Sequence, residues 1–442
     1  MICRFFYLKE YELAKEKKTL VAEDESPLDK LIKDAFNNSG SAVNMAEIDT
    51  KVKLWFDTGV YAFNYNCSKN LKGGIPAGRI TSLEGLSSTG KSLFMASIMK
   101  DPQIDKIFLI ESEGGGASAE LLDFVGVDLK KVTLFKASTL SNYRINKETS
   151  KIEGVADKDM PKKLDTDTYR YFEGATRIIK RIIDMVEYNK ITARILIVLD
   201  SIANLQPLRE LQGISSMGSN GVEIGNLFRS FDNAFERTNI AFLFTNKLYT
   251  NIGNEYDPWK SSGGVNVEYN PSLTVRLSTT SETDDVTASG IDAEKASKKT
   301  GMGSSLKTIR ATSKKSRFGT EARNVYFMID FSTGPVRYSG LFTLLKDFGI
   351  ITQTGSRYSL PVEGFESFFK KDFISKCISY GETVIDKFQE LLNKKELETK
   401  ELKLKFQAND MEEAKEVEEE IGLGAEDDAQ ELRNAIARDM GV

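Results

Sequence analysis

An α/β fold with a mostly parallel central sheet is predicted by three features of the sequence. Short apolar, β-branched runs alternate with helical stretches over much of the chain. A glycine-rich turn of the form G-x-x-x-x-G-K-S joins one such run to a helix-forming segment. Beyond about residue 340 the alternation gives way to helices and turns. A helical N-terminal segment therefore precedes the α/β core, and a small α-rich domain follows it. The expected boundaries are 1–50, 51–340 and 341–405, with an acidic tail over 406–442.

The elements follow in order. In "DESPLDKLIKDAFNNSG", Ser26 is placed as the N-cap, Pro27 as the first helical residue and Asn38-Ser39-Gly40 as the stop. Leu28, Leu31, Ile32, Ala35 and Phe36 share one face of this helix. Two readings stand for it: packing on the core, or a polymerisation arm that docks on a neighbouring copy. Strands are expected at Arg79–Glu84, Lys106–Glu111, Val132–Lys136, Arg194–Asp200, Ala241–Thr245, Leu273–Ser278, Lys307–Ala311 and Val325–Phe331. A core helix is expected over Phe172–Val186, whose apolar residues form one stripe. Two polar stretches read as insertions: Asn142–Asp167, a hairpin with a loop, and the Gly/Ser/Ala/Lys-rich Glu282–Ser305. Helices are expected over Leu341–Phe348, near Phe365–Ser379 and over Glu382–Lys405.

Composition narrows the chemistry. The 442 residues include no histidine, which removes Ser-His and Cys-His nucleophiles and imidazole metal ligands. Three isolated cysteines (Cys3, Cys67, Cys377) form neither a disulfide framework nor a zinc-ligand spacing, and no apolar run approaches a membrane span. These features point to the cytoplasm and to no membrane partner. The net charge of −5 is unevenly distributed. Residues 401–442 hold 13 acidic and 5 basic residues, so the remainder is slightly positive, a balance compatible with nucleic-acid binding. Phosphoryl transfer suits the side chains that remain, because it relies on positioning and charge.

The stretch "GLSSTGKS", Gly85 to Ser92, is where that chemistry is expected. Its glycines let successive backbone N–H groups face phosphate oxygens, and the following helix adds its positive end. At this spacing Lys91 would reach the β- and γ-phosphates of ATP, and Ser92 would ligate Mg²⁺. "KIFLIESEGGG" closes a strand with Glu111 and Glu113, and the second of these can turn toward the γ-phosphate and orient a water. "ARILIVLDSIANL" places Asp200 at a strand end, where it would hold Mg²⁺ through water. "AFLFTNKLYTNIGNEYDPWKSSGG" ends another strand in Asn246 and Lys247, then carries Tyr249, Tyr256 and Trp259 in a glycine-flanked segment suited to stacking on single-stranded bases.

These pieces, with "DTGVYAFNYNCSKNLKGGIPAGRI", "GVDLKKV", "KKSRFG" and "YSGLFTLLKDFGII", occur in an order that resembles RecA-type recombinases, most closely the phage UvsX-like branch. The resemblance spans roughly residues 54 to 350. It implies a RecA-like P-loop ATPase core and a head-to-tail helical filament of copies on single-stranded DNA. It also implies ATP with Mg²⁺ between neighbouring copies, and double-stranded DNA as the exchange partner. A single-strand-binding protein and a loader or mediator are implied as further partners, in the cytoplasm of the host cell if the chain is phage-encoded.

Carried over by position, Gly85, Leu86, Ser87, Ser88, Thr89, Gly90, Lys91, Ser92 and Leu93 hold nucleotide, while Ser92 and Asp200 hold the metal. The resemblance implies that Glu113 is the catalytic carboxylate and that Lys91 is also catalytic. Asn246 and Lys247 form the γ-phosphate sensor pair, and Lys315 and Arg317 act across the subunit interface. The first DNA loop corresponds to Pro207–Gly221, with Arg209, Met217, Ser219 and Asn220 as contacts. The second corresponds to Leu248–Gly264, with Tyr249, Ile252, Tyr256, Trp259 and Lys260. Lys247 departs from the glutamine common at its position, and Tyr249 and Asn251 stand where bacterial members place basic residues. Two other functions share parts of this pattern: a hexameric RecA-like DNA helicase or motor, and a nucleotide-gated filament scaffold without essential hydrolysis.

Overall fold

A computed structural model describes residues 51–113, 116–136, 143–145, 152–154, 172–206, 219–251, 258–280, 306–318 and 324–420. Strands β1 (Trp55–Phe56) and β2 (Ile75–Pro76) pair antiparallel and bracket helix α1 (Tyr61–Ser68). The alternating region follows: β3 (Ile80–Gly85), α2 (Lys91–Met99), β4 (Lys106–Glu111), α3 (Ala119–Val125) and β5 (Val132–Phe135). A short antiparallel pair, β6 (Tyr143–Ile145) and β7 (Ile152–Gly154), occupies the first expected insertion. Then come α4 (Phe172–Tyr188), β8 (Ile195–Asp200), α5 (Ser219–Thr238), β9 (Ala241–Thr250), β10 (Trp259–Ser261), α6 (Val265–Tyr269) and β11 (Leu273–Thr280). Strands β12 (Leu306–Ser316), β13 (Asn324–Asp330) and β14 (Gly334–Pro335) complete the sheet.

The main sheet runs β14-β13-β12-β11-β3-β9-β8-β4-β5, with β10 laid against the far end of β9. From β11 to β5 every pairing is parallel; from β11 to β14 every pairing is antiparallel. The protein is therefore α/β with a large, mostly parallel central sheet. Burial explains the division. Strand β8, "ILIVLD", is buried along its whole length because helices cover both faces, as a parallel strand requires. Its side chains alternate: Leu196 and Val198 join the layer under α1, α2 and α3, while Ile195, Ile197 and Leu199 join the layer under α4 and α5. Strand β12 instead alternates buried Ile309 and Ala311 with exposed or half-exposed Arg310, Thr312 and Lys314, so one face of the antiparallel half stays polar.

Beyond the sheet lie α7 (Leu341–Asp347), the hairpin β15 (Thr352–Thr354) and β16 (Arg357–Ser359), α8 (Phe373–Tyr380) and α9 (Thr383–Glu420). Their apolar cluster includes Tyr61, Tyr65, Leu71 and Met328 from the preceding region, so this part shares its core with the sheet.

Several elements differ from expectation at their ends. Strands β9 and β12 run five residues past the expected Thr245 and Ala311, because each finds a partner there, β10 and β11 respectively. The helix expected from Phe365 begins at Phe373. Upstream, the Phe368 backbone exchanges hydrogen bonds with Tyr358 of β16, which holds that stretch extended. Helix α9 continues past Lys405 to Glu420. The segment 1–50, the insertion 282–305 up to its last residue and the tail from 421 lie outside the described residues.

Phe94 of α2 illustrates the packing under the glycine-rich loop. It is fully buried, edge-to-face with Phe63 of α1 at 4.8 Å and tilted against Phe327 of β13 at 5.1 Å. Phe94→Ala is expected to destabilise the protein by about 3–5 kcal/mol, read as a lowered denaturation midpoint with an unchanged slope.

Candidate functional site

Four strands, β3, β4, β8 and β9, deliver polar groups to the carboxyl edge of the parallel sheet. Strand β3 ends in Gly85, and the chain turns through Leu86–Thr89 into α2. Ser88 (φ 60°) and Gly90 (φ 83°) adopt the left-handed conformation, which the tight return to the helix requires. Gly85 has a second constraint: a Cβ there would lie 2.6 Å from the Leu277 carbonyl oxygen of β11. Gly90 is the N-cap and offers no side-chain acceptor, so the first N–H groups of α2 keep their capacity for a ligand. Lys91 fills the loop from below. Its Nζ donates to the carbonyls of Gly85 (2.9 Å) and Leu86 (2.7 Å). Burial pulls its ammonium below the usual lysine range, against the opposing charges of Asp200 and Glu113.

Beside the loop stands a group of carboxylates and hydroxyls. The Ser92 hydroxyl lies 3.4 Å from Asp200 Oδ2, and the Thr245 hydroxyl donates to Asp200 Oδ1. Burial pushes the Asp200 carboxyl up; the Thr245 hydrogen bond opposes this and the nearby Glu113 charge adds to it. Glu113, just past β4, accepts on one oxygen from Ser201 Oγ (2.8 Å) and Lys247 Nζ (3.0 Å). Burial favours its neutral form, but the hydrogen bonds from Lys247 and Ser201, with the Lys247 charge, outweigh it and hold the carboxyl below its usual range. Lys247 also donates to Asn204 Oδ1 at 3.1 Å. Gly116 completes the wall: a Cβ there would lie 3.1 Å from Asp200 Oδ2 and 3.4 Å from Glu113 Oε2. The missing side chain leaves room between these carboxylates and Ser92. A hydroxyl and a carboxylate facing such a space fit a hard, oxygen-seeking cation such as Mg²⁺.

Gly85 through Leu93, Glu113, Asp200 and Lys247 thus share one edge. Asn246 is fully buried and turns elsewhere: its Nδ2 donates to the Ser262 carbonyl, and its Oδ1 accepts from the Lys247 backbone. In the segment expected as a long loop over Leu248–Gly264, the described ends pair as antiparallel strands, the legs of a hairpin. Tyr249 pairs with Lys260 and Thr250 with Trp259, which places Tyr249, Trp259 and Lys260 on its legs. Tyr249 is exposed, while Trp259 and Lys260 are half-buried. Ile252 and Tyr256 lie outside the described residues, as do Arg209 and Met217. Ser219 and Asn220 open α5.

Lys315 and Arg317 are not at this edge. Lys315 lies within β12, opposite Thr274, and donates to the carbonyls of Glu268 and Tyr269 at the end of α6. The Arg317 backbone bonds Ser272, which in turn bonds Ile80 at the start of β3. The loop begins at Gly85; Lys315, opposite Thr274 and so level with Ser82, lies about 10 Å down the strands from it, and Arg317, level with Ile80, about 16 Å.

The sequence reading missed Ser201, Thr245, Asn204 and Gly116. Thr245 alone carried a local signal, a polar residue closing the apolar run "AFLF". No family model matches this chain, and comparison with curated proteins finds no significant relative. Among the described residues, no helix is long and apolar enough to cross a membrane.

Gly85→Ala tests the packing of the loop. Its methyl would press on the β11 backbone, which has no rotamer to yield. The substitution is expected to cost about 1–3 kcal/mol in unfolding free energy, read as a lowered denaturation midpoint.

Proposed function

We propose that this protein is a DNA-dependent ATPase of the RecA type. In this reading it assembles head-to-tail on single-stranded DNA and promotes homologous pairing and strand exchange. The observation that carries the reading is the meeting of Lys91, Ser92, Asp200, Glu113 and Lys247 at one sheet edge, with exposed Tyr249 on a paired strand that leaves the same edge.

ATP phosphates would take the place of the Gly85 and Leu86 carbonyls as partners of Lys91. The free N–H groups of α2 would bind the same phosphates. Mg²⁺, held by Ser92 and by Asp200 directly or through water, would neutralise charge on the phosphates. Glu113 is ionised at neutral pH and orients the attacking water. Lys247, beside it, compensates charge as the water adds. Tyr249 on the exposed hairpin leg offers a stacking face to unpaired bases.

Lys315 and Arg317 lie down the strands from the loop of their own chain, and Lys315 is bonded to the end of α6 instead. A catalytic role for them would be played on the loop of a second copy, through a head-to-tail contact that propagates into a helical filament.

Single-stranded DNA is expected to stimulate ATP hydrolysis. Glu113→Gln should keep ATP and DNA affinities within about threefold while hydrolysis falls by about 10²–10⁴. Collapse of ATP affinity would make Glu113 a binding residue instead. Arg317→Ala should bind ATP and lose hydrolysis, and mixing it with Glu113→Gln should restore part of the activity. Absence of rescue at every mixing ratio would exclude catalysis across the interface.

A further inference from the structure

Glu84 takes part in none of the steps above, yet it is among the most buried charges of the protein at 2 % exposure, directly before the glycine loop. One of its oxygens accepts from Arg276 Nε of β11 at 2.7 Å, and the other accepts from the Ser261 hydroxyl of β10. Strand β10 is the return leg of the hairpin. Its exit is fastened again one residue later: the Ser262 N–H donates to the Lys247 carbonyl (3.0 Å), and the Ser262 carbonyl accepts from Asn246 Nδ2 (2.9 Å). The hairpin leg is therefore tied to two strand ends. One bears the glycine loop and the other bears Lys247, which contacts Glu113.

We propose that Glu84 is a positioning residue that couples nucleotide occupancy of the Gly85–Ser92 loop to the placement of β10 and the β9 end paired with it, through Ser261, with Arg276 holding the carboxylate in place. This inference rests on the function proposed above. Its physical basis is the cost of separating a buried carboxylate from its partners: a shift of the β3 end must carry Arg276 and Ser261 along or leave the charge unpaired. Any rearrangement of the loop around phosphate thus reaches β10 as a displacement. The linkage runs both ways, so DNA on the hairpin should tighten nucleotide binding by the same factor.

The test uses the full chain, a fluorescent oligo-dT strand and a non-hydrolysable ATP analogue with Mg²⁺. The readout is the ratio of DNA dissociation constants without and with the analogue, which a merely structural residue would not move. The wild-type ratio is expected to exceed about 5, and Ser261→Ala should bring it toward 1. Glu84→Gln, checked for folding by circular dichroism, should also lower it. The double variant should lose no more than the larger single loss, since both changes break one connection. An unchanged ratio in Ser261→Ala, or fully additive losses, overturns the coupling. A wild-type protein with no nucleotide-dependent DNA binding overturns the proposed function itself, and the coupling with it.

Discussion

Strand β3 lies in parallel between β9 and β11, buried at every residue, and the rest of the site depends on its register. That register places Gly85 beside Lys247 on one side and Leu277 on the other. Slipping it by one residue would exchange Leu83 and Glu84 between faces, sending a carboxylate into the layer of Phe94 and Leu273. The alternation of apolar and polar side chains therefore sets where the glycine loop emerges. It also sets which side chains meet it.

The charges at the carboxyl edge are held by one another rather than by solvent. Glu113 is paired with Lys247, Asp200 is bonded by two hydroxyls, Lys91 is bound by loop carbonyls, and Glu84 is paired with Arg276. Each of these side chains costs solvation free energy to bury and recovers part of it from a neighbouring group, which for Glu113, Asp200 and Glu84 includes one carried by a different strand. The arrangement exists only when the strands are assembled.

The C-terminal region contributes by packing. Tyr61 and Tyr65 of α1 join the cluster of α7, α8 and α9, and the Arg337 guanidinium bridges Asp57 at 2.8 Å while lying 4.3 Å from the centre of the Tyr61 ring. Helix α1 is thereby fixed from both sides, under the β13 strand and against the aromatic cluster that supports α2. A change far from the glycine loop can thus reach α2, whose first residue is Lys91.

The sequence by itself determined the α/β class, the strand order along the chain and most of the groups at the edge. Those signals are local: apolar runs mark the strands, and the glycine loop, Glu113, Asp200 and Lys247 each sit at the end of such a run. Tertiary structure alone decided what the polar ends do on meeting. Asn246, expected beside Lys247 at the phosphate, is spent on Ser262, and the loop after Thr245 became a paired hairpin because β10 offers it a partner. Ser201, Asn204, Gly116 and the Glu84–Ser261–Arg276 link span distances of tens to hundreds of residues along the chain, and no periodicity records such a contact. Lys315 and Arg317 were legible as a basic pair, but only strand register put them level with the middle and the start of β3. Side-chain alternation is a property of each strand; which strand ends adjoin is a property of the sheet, and the chemistry depends on the second.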